Sequence, residues 1–245
     1  MPTRIYCPLL TESPTRLECP AKQAQHLRVL RFQLGDALQL FNGKGDFAEA
    51  TIIHLDKKSI QLEIAALQMA SPSETYPIHL IQALTRNETM DWIIQKATEL
   101  GVKSITPIIS ERTQGRLKGS QLDKKMTHWQ EIMISAAEQS GFNFLPTLHS
   151  PLLFLDFLAE LNPDSPPLFI FDPEAKQAFY DLHIHPTSSQ LLIGPEGGFT
   201  KEEVNAAVRD HATPLRLHHN ILRAETAAIA ALSMTQLHFG RHSHD

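Results

Sequence analysis

The chain has only two cysteines, Cys7 and Cys19, in 245 residues. That is too few for a disulfide framework, so both are expected as reduced structural thiols. Long apolar runs are missing too, and nothing approaches the ~20 residues of a membrane helix. The start lacks an apolar core flanked by basic residues, so no membrane partner is expected and cytoplasmic placement is. Neither the phosphate-loop spacing nor the dinucleotide fingerprint occurs. Histidine is plentiful, with 13 residues that include His218-His219 and His238, His242 and His244. No cysteine or carboxylate joins them at a ligand spacing, so no metal is expected. Repeats and low-complexity tracts are likewise absent.

What is present is an ordinary globular composition, 42% hydrophobic and 20% charged. The net charge of −5 argues mildly against a nucleic-acid partner, but its distribution argues for one. Residues 1–31 hold Arg4, Arg16, Lys22, Arg28 and Arg31 against Glu12 and Glu18. Residues 111–125 hold Arg112, Arg116, Lys118, Lys124 and Lys125 against Glu111 and Asp123. Basic islands in an acidic body can bind phosphate locally, or can be solvated charged faces.

The first ~70 residues read as β-rich. Ala37–Phe41 and Phe47–Leu55 flank Asn42-Gly43-Lys44-Gly45, a hairpin signal. Ser59 to Ile64 alternates as a third strand, and residues 21–31 suggest a short helix. The polar stretch Ala70-Ser71-Pro72-Ser73-Glu74 has linker composition, which places a domain boundary between 72 and 73. Beyond it, strands are expected at 78–84, 104–109, 168–171, 191–193 and 215–217, with helices at 91–100, 122–140 and 224–239. Such alternation implies an α/β fold with a mainly parallel sheet covered by helices. Thr200-Lys201-Glu202-Glu203 has capping-box spacing and starts a further helix. Trp92 and Trp129 sit on apolar helical stripes and are expected in the core.

Two turns near the end carry most of the chemistry. Gly194-Pro195-Glu196-Gly197-Gly198 follows the apolar run Leu191-Leu192-Ile193, and Ile221-Leu222-Arg223-Ala224-Glu225-Thr226-Ala227 opens the last helix. In open α/β sheets, ligands collect where such turns cluster at the carboxyl ends of strands. Three glycines in five residues suit a ligand held largely by main chain. Glu196, Arg223 and Glu225 stand beside it. Glu225 can instead complement the helix dipole, and Arg223 can pair with Glu196.

These two turns, with His26-Leu27-Arg28-Val29-Leu30-Arg31, Lys96-Ala97-Thr98-Glu99-Leu100-Gly101-Val102 and Ala136-Ala137-Glu138-Gln139-Ser140, resemble the bacterial small-subunit ribosomal RNA uridine-N3-methyltransferases of the SPOUT superfamily. The resemblance spans essentially the whole chain in order. It implies a small PUA-like β-barrel that binds RNA over residues 1–72 and a trefoil-knotted, dimerising SPOUT methyltransferase domain over 73–245. It further implies that S-adenosylmethionine is held by Phe171, Ile193, Gly194, Pro195, Glu196, Gly197, Gly198, Leu217, Ile221, Leu222, Arg223 and Ala224. The implied substrate is 16S ribosomal RNA within the small subunit, methylated at N3 of a uridine.

On this reading Arg223 stabilises the anion formed at N3, and Glu196 or Glu225 accepts the proton. RNA contacts are expected from Arg4, His26, Arg28, Arg31, Arg86 and Arg112. Departures from the family are His218 and Asn220 in place of glycine and arginine, and Phe142 and Phe144 where arginines are usual. The phenylalanines stack on bases or, the reading favoured here, fill core. Two alternatives stay open: an RNA-binding or assembly protein without catalysis, and a methyltransferase of this fold acting on another RNA atom such as a ribose hydroxyl.

Overall fold

The computed structural model describes residues 3–10, 15–57, 59–71, 75–113 and 119–240. They form two compact units, residues 1–72 with 134–145, and residues 73–133 with 146–245.

The first unit contains β1 (Arg4–Tyr6), β2 (Arg16–Glu18), α1 (Ala21–Val29), β3 (Ala37–Phe41), β4 (Asp46–Leu55), β5 (Ile60–Ile64) and β6 (Gln68–Met69). Its sheet runs β1-β3-β4-β5-β2, with β6 also paired to β4. The β3–β4 turn forms because the Asn42 side-chain oxygen accepts the Lys44 N–H at 2.8 Å and the Asp46 N–H at 3.2 Å. Side chains on a strand alternate between faces. Leu38 and Leu40, Ala48, Ala50 and Ile52, and Ile60, Leu62 and Ile64 therefore share one buried face with Ala24 and Leu27 of α1. Both thiols lie in that core unpaired. Burial pushes the Cys19 thiol up to about 11, so it stays protonated and unreactive near neutrality.

Residues 134–145 belong to the same unit. Tyr6 N–H donates to Glu138 Oε1 at 2.9 Å. Arg4 bonds Asn143 and lies over the Phe41 ring, 4.8 Å from its centroid. Phe142 and Phe144 are half-buried against each other, centroids 5.7 Å apart. Phe144 also covers Gly45, where a Cβ would come within 2.7 Å of the ring.

The second unit has β7 (Ile78–Ala83), α2 (Asn87–Glu99), β8 (Ser104–Ile109), the first part of α3 (Ser120–Ser140), β9 (Thr147–Leu148), β10 (Leu152–Leu153), α4 (Phe154–Ala159), β11 (Leu168–Phe171), β12 (Ser189–Ile193), α5 (Lys201–Arg209), β13 (Thr213–Leu215) and α6 (Ala224–Phe239). The sheet order is β10-β8-β7-β12-β11-β13, with β9 on β8, and every pairing is parallel. One face packs Ile81, Ala83, Ile108, Ile170 and Leu192 against Phe154, Phe157 and Leu158 of α4 and Ala206 and Ala207 of α5. The other face receives α6, which also packs on α2. Helices on both faces explain why the central strands are near-continuous apolar runs.

Two expectations need correction. The last strand is Thr213–Leu215, not 215–217, and it includes Pro214. As an edge strand it tolerates a residue that cannot donate to a ladder. Trp92 is 44% exposed whereas Trp129 is buried. The helix begins at Asn87, so its buried stripe is Met90, Ile93, Ile94, Ala97 and Thr98, which turns Trp92 outward.

Candidate functional site

Because β11, β12 and β13 are adjacent and parallel, their carboxyl ends open on one edge of the sheet. There the chain leaves Phe171 and Ile193, and α6 begins. A crevice of about 300 Å³ lies between these exits. Its walls are Phe171–Glu174, Ile193–Phe199, Val204, Ile221, Leu222, Ala224, Ala227 and Arg112.

The 194–198 turn is closed by Gly198 N–H donating to Pro195 O at 2.8 Å. Gly198 has φ +67°, a conformation costly for a residue bearing a Cβ. Gly194 is needed for a different reason. A Cβ there would stand 3.3 Å from Gly198 Cα and the Phe199 backbone nitrogen, so a side chain would require the two limbs of the turn to part by a few tenths of an ångström.

Immediately after the turn the capping box forms. Thr200 Oγ1 accepts Glu203 N–H at 3.2 Å, and Glu203 Oε2 accepts Thr200 N–H at 2.8 Å. Glu203 Oε1 reaches further and accepts Glu111 N–H at 2.8 Å. Glu203, only 8% exposed, thus holds the start of α5 to the loop after β8.

The opposite wall is the first turn of α6. Arg223 is its N-cap, with no side-chain capping bond. The first N–H groups of a helix have no intrahelical partner, so these donors are available beside the crevice. The preceding loop is shaped by Asn220 N–H donating to His218 Nδ1 at 3.0 Å. Neither His218 nor Asn220 takes a positive φ, so replacing the family's glycine here requires no left-handed backbone.

Of the sequence candidates, Phe171, Ile193, Gly194, Pro195, Glu196, Gly197, Gly198, Ile221, Leu222 and Ala224 line the crevice together. Leu217, Arg223 and Glu225 do not line it. Arg223 is exposed and Glu225 half-buried. Among the described residues no ion pair joins Arg223 to Glu196 or Glu225. Instead Glu196 Oε1 accepts Arg86 N–H at 2.9 Å.

Arg112, expected as an RNA contact, is itself a wall of the crevice, with Nη1 donating to Gly197 O at 2.7 Å. Of the other cationic candidates, His26, Arg28, Arg31 and Arg86 are exposed. Arg28 donates to Asp56 O at 3.1 Å, and His26 Nδ1 lies 3.9 Å from Glu138 Oε2. Arg4 is the correction: it is 9% exposed, and burial lowers its pKa. Its guanidinium bonds Asn143 and lies over the Phe41 ring.

Two features escaped the sequence reading. Asp172-Pro173-Glu174 follows a strand just as the glycine turn does, and the same rule would have found it. Gln82 is the lone polar residue in the apolar part of β7 facing the core. It is fully buried and donates Nε2 to Gly194 O at 3.3 Å, while its Oε1 has no partner among the described residues.

The fold and crevice define an open α/β domain with a candidate ligand site lined by a glycine-rich turn and apolar side chains, in a chain that also carries a small β unit. Residues 72–236 match the RNA methyltransferase domain family and residues 20–65 the RNA methyltransferase PUA domain; the chain belongs to this RNA methyltransferase family. A putative methyltransferase from Legionella pneumophila, solved with bound SAM cofactor, is 36% identical with TM-score 0.90, covering 97% of this chain and 98% of that one. The ribosomal RNA small subunit methyltransferase E of Neisseria gonorrhoeae, bound to S-adenosyl methionine, is 32% identical with TM-score 0.89, covering 98% of each chain. The ribosomal RNA small subunit methyltransferase E of Buchnera aphidicola subsp. Schizaphis graminum is 33% identical over 213 residues, 87% of this chain and 86% of that protein.

Proposed function

We propose that this protein transfers a methyl group from S-adenosylmethionine to N3 of a uridine in 16S ribosomal RNA of the small subunit. The observation that carries the reading is the crevice where the Gly194–Gly198 turn meets the first turn of α6. Its volume, about 300 Å³, is at the lower end of small-molecule sites. Phe171, Ile193, Leu222 and Ala227 give it apolar walls suited to an adenine ring. Gly194 forms a close backbone approach that a Cβ would fill. The α6 N-terminus adds uncapped N–H donors. The residues present therefore fit the cofactor, with main chain of 193–198, 222 and 224 holding it.

When bound, S-adenosylmethionine supplies an electrophilic methyl to an in-line nucleophile. An imide nitrogen becomes that nucleophile by giving up its proton. Glu225 is our assignment for the acceptor, because one oxygen of Glu196 is already committed to Arg86 N–H. Arg223 is assigned to the negative charge left on the pyrimidine, since a cation beside an acid lowers its pKa by roughly 1–3 units. Orientation supplies the rest, worth up to roughly 7–11 kcal/mol in favourable cases. His26, Arg28, Arg31, Arg86 and Arg112 are assigned to RNA phosphates, so binding falls steeply with salt.

We also assign residues 1–72 as an RNA-binding domain and 73–245 as a SPOUT methyltransferase domain carrying the trefoil knot and forming a homodimer, although residues 134–145 pack with the first compact unit. The exposed apolar side chains Trp92, Ile221 and Leu237 support a second copy on that domain, and sedimentation analysis tests it. No helix among the described residues is long and apolar enough to cross a membrane.

The deciding experiment is tritiated-methyl transfer to small subunits lacking the endogenous modification, followed by nucleoside identification. N3-methyluridine is expected. Ribose methylation would move the reading to another atom, and cofactor-independent RNA binding without transfer would reduce it to a binding protein.

A further inference from the structure

Three polar contacts fasten the 194–198 turn to β7 itself and to the segments that follow β7 and β8. Gln82 bonds Gly194 O, Arg86 N–H bonds Glu196, and Arg112 Nη1 bonds Gly197 O. Arg112 is the most informative. Its Cδ would lie 3.4 Å from a Cβ on Gly197, so the aliphatic stem rests directly on the turn. At the start of its own loop, Glu111 N–H donates to Glu203 and Ser110 N–H to Thr113 Oγ1 at 2.9 Å. Yet the side chain is exposed, and among the described residues its only hydrogen bond is to a neutral carbonyl. No carboxylate among them pairs with it. A guanidinium offers five N–H donors in a rigid fork. Nη1 can stay on Gly197 while the remaining edge takes a phosphate oxygen.

Resting on the function proposed above, we infer that Arg112 is a positioning residue that couples RNA-phosphate engagement to cofactor affinity through Gly197. Holding Arg112 and the turn in one arrangement costs conformational entropy. The Arg112 side chain is exposed, so a phosphate on its free edge, or a cofactor on the turn, holds the Arg112–Gly197 contact and lowers the ordering cost for the other ligand, which is positive cooperativity without a gross structural change. Linkage makes the effect equal in both directions. Arg86 differs in kind. Among the described residues its hydrogen bond to the turn comes from the backbone N–H, so its side chain is assigned to RNA affinity and not to the coupling.

The test measures S-adenosylhomocysteine affinity by calorimetry with and without a saturating, unmethylated transcript of small-subunit ribosomal RNA. The wild type is expected to bind about fivefold or more tightly with RNA. Arg112→Ala should bring that ratio close to one. Arg112→Lys should also lower it, since one ammonium on a flexible stem lacks the fork. Arg86→Ala should weaken RNA binding and keep the ratio once RNA is saturating. A merely structural role for Arg112 would weaken cofactor binding equally in both conditions and leave the ratio intact. That outcome, or a wild-type ratio of one, overturns the coupling alone. Folded wild-type protein that binds neither cofactor nor RNA would sink the functional proposal itself.

Discussion

Replacing Gly194 and Gly198 by alanine separates two reasons for glycine within one turn. At Gly194 the new methyl would sit 3.3 Å from Gly198 Cα, Phe199 N and Phe199 Cδ2. Two of those atoms are backbone, so relief requires the turn itself to open by a few tenths of an ångström. Such overpacking costs about 1–3 kcal/mol. At Gly198 nothing lies within 4 Å of the new methyl, and the cost comes from φ +67° alone. That is about 1–2 kcal/mol, partly offset by about 0.4–1 kcal/mol from restricting the unfolded chain. If the turn holds the cofactor, Gly194→Ala meets the strain whenever the cofactor re-closes it. At 1.4 kcal/mol per tenfold, cofactor affinity should fall roughly 5- to 150-fold, whereas Gly198→Ala, strained equally with and without cofactor, should show its cost mainly in Tm. Calorimetric titration with S-adenosylmethionine, alongside thermal unfolding, reads both terms. The reasoning is refuted if Gly194→Ala binds within twofold of wild type with an unchanged Tm, or if Gly198→Ala proves the more damaging to affinity.

The capping box extends the same argument to stability. Glu203→Ala leaves the Thr200 and Glu111 N–H groups without their carboxylate. The loss should be about 2–4 kcal/mol, or roughly 5–15 °C in the Tm of the second unit, with Glu203→Gln intermediate; a shift under ~2 °C would remove Glu203 as a structural tie. Acid sensitivity follows from His79, whose pKa burial holds below 6.5, with His149 and Lys103 adding to the effect. Below pH 6.5 the unfolded chain takes up a proton that the native state refuses, so stability falls with falling pH until the native imidazole titrates. His79→Gln should flatten the urea-midpoint slope across that window, and identical slopes in variant and wild type would contradict the assignment.

Local chemistry was readable from the sequence, and contacts between distant residues were not. The Asn42-Gly43 turn and the Thr200–Glu203 box each close within five residues, so the sequence alone names both partners. The alternating strands around them were visible for the same reason. In contrast β1, β2, β9 and β10 have two or three residues each. They carry no period of their own and exist only because a neighbouring strand pairs with them. Trp92 shows the limit of a stripe read over too short a window, since adding one helical turn at Asn87 moves it from the inner face to the outer. Arg4 shows the limit of reading charge as exposure, because its partner Asn143 is 139 residues away.

The sequence by itself determined that two backbone-rich turns lie at strand ends and which residues they contain, because glycine spacing and helix-start chemistry act over a few residues. Only the tertiary structure decided that both turns open into one crevice, since that depends on β11 standing between β12 and β13 in a parallel sheet. It alone also showed Arg112 resting on Gly197 across 85 residues of chain. A hydrogen bond between loops of different strands leaves no periodicity in either loop; the strand order brings the partners together.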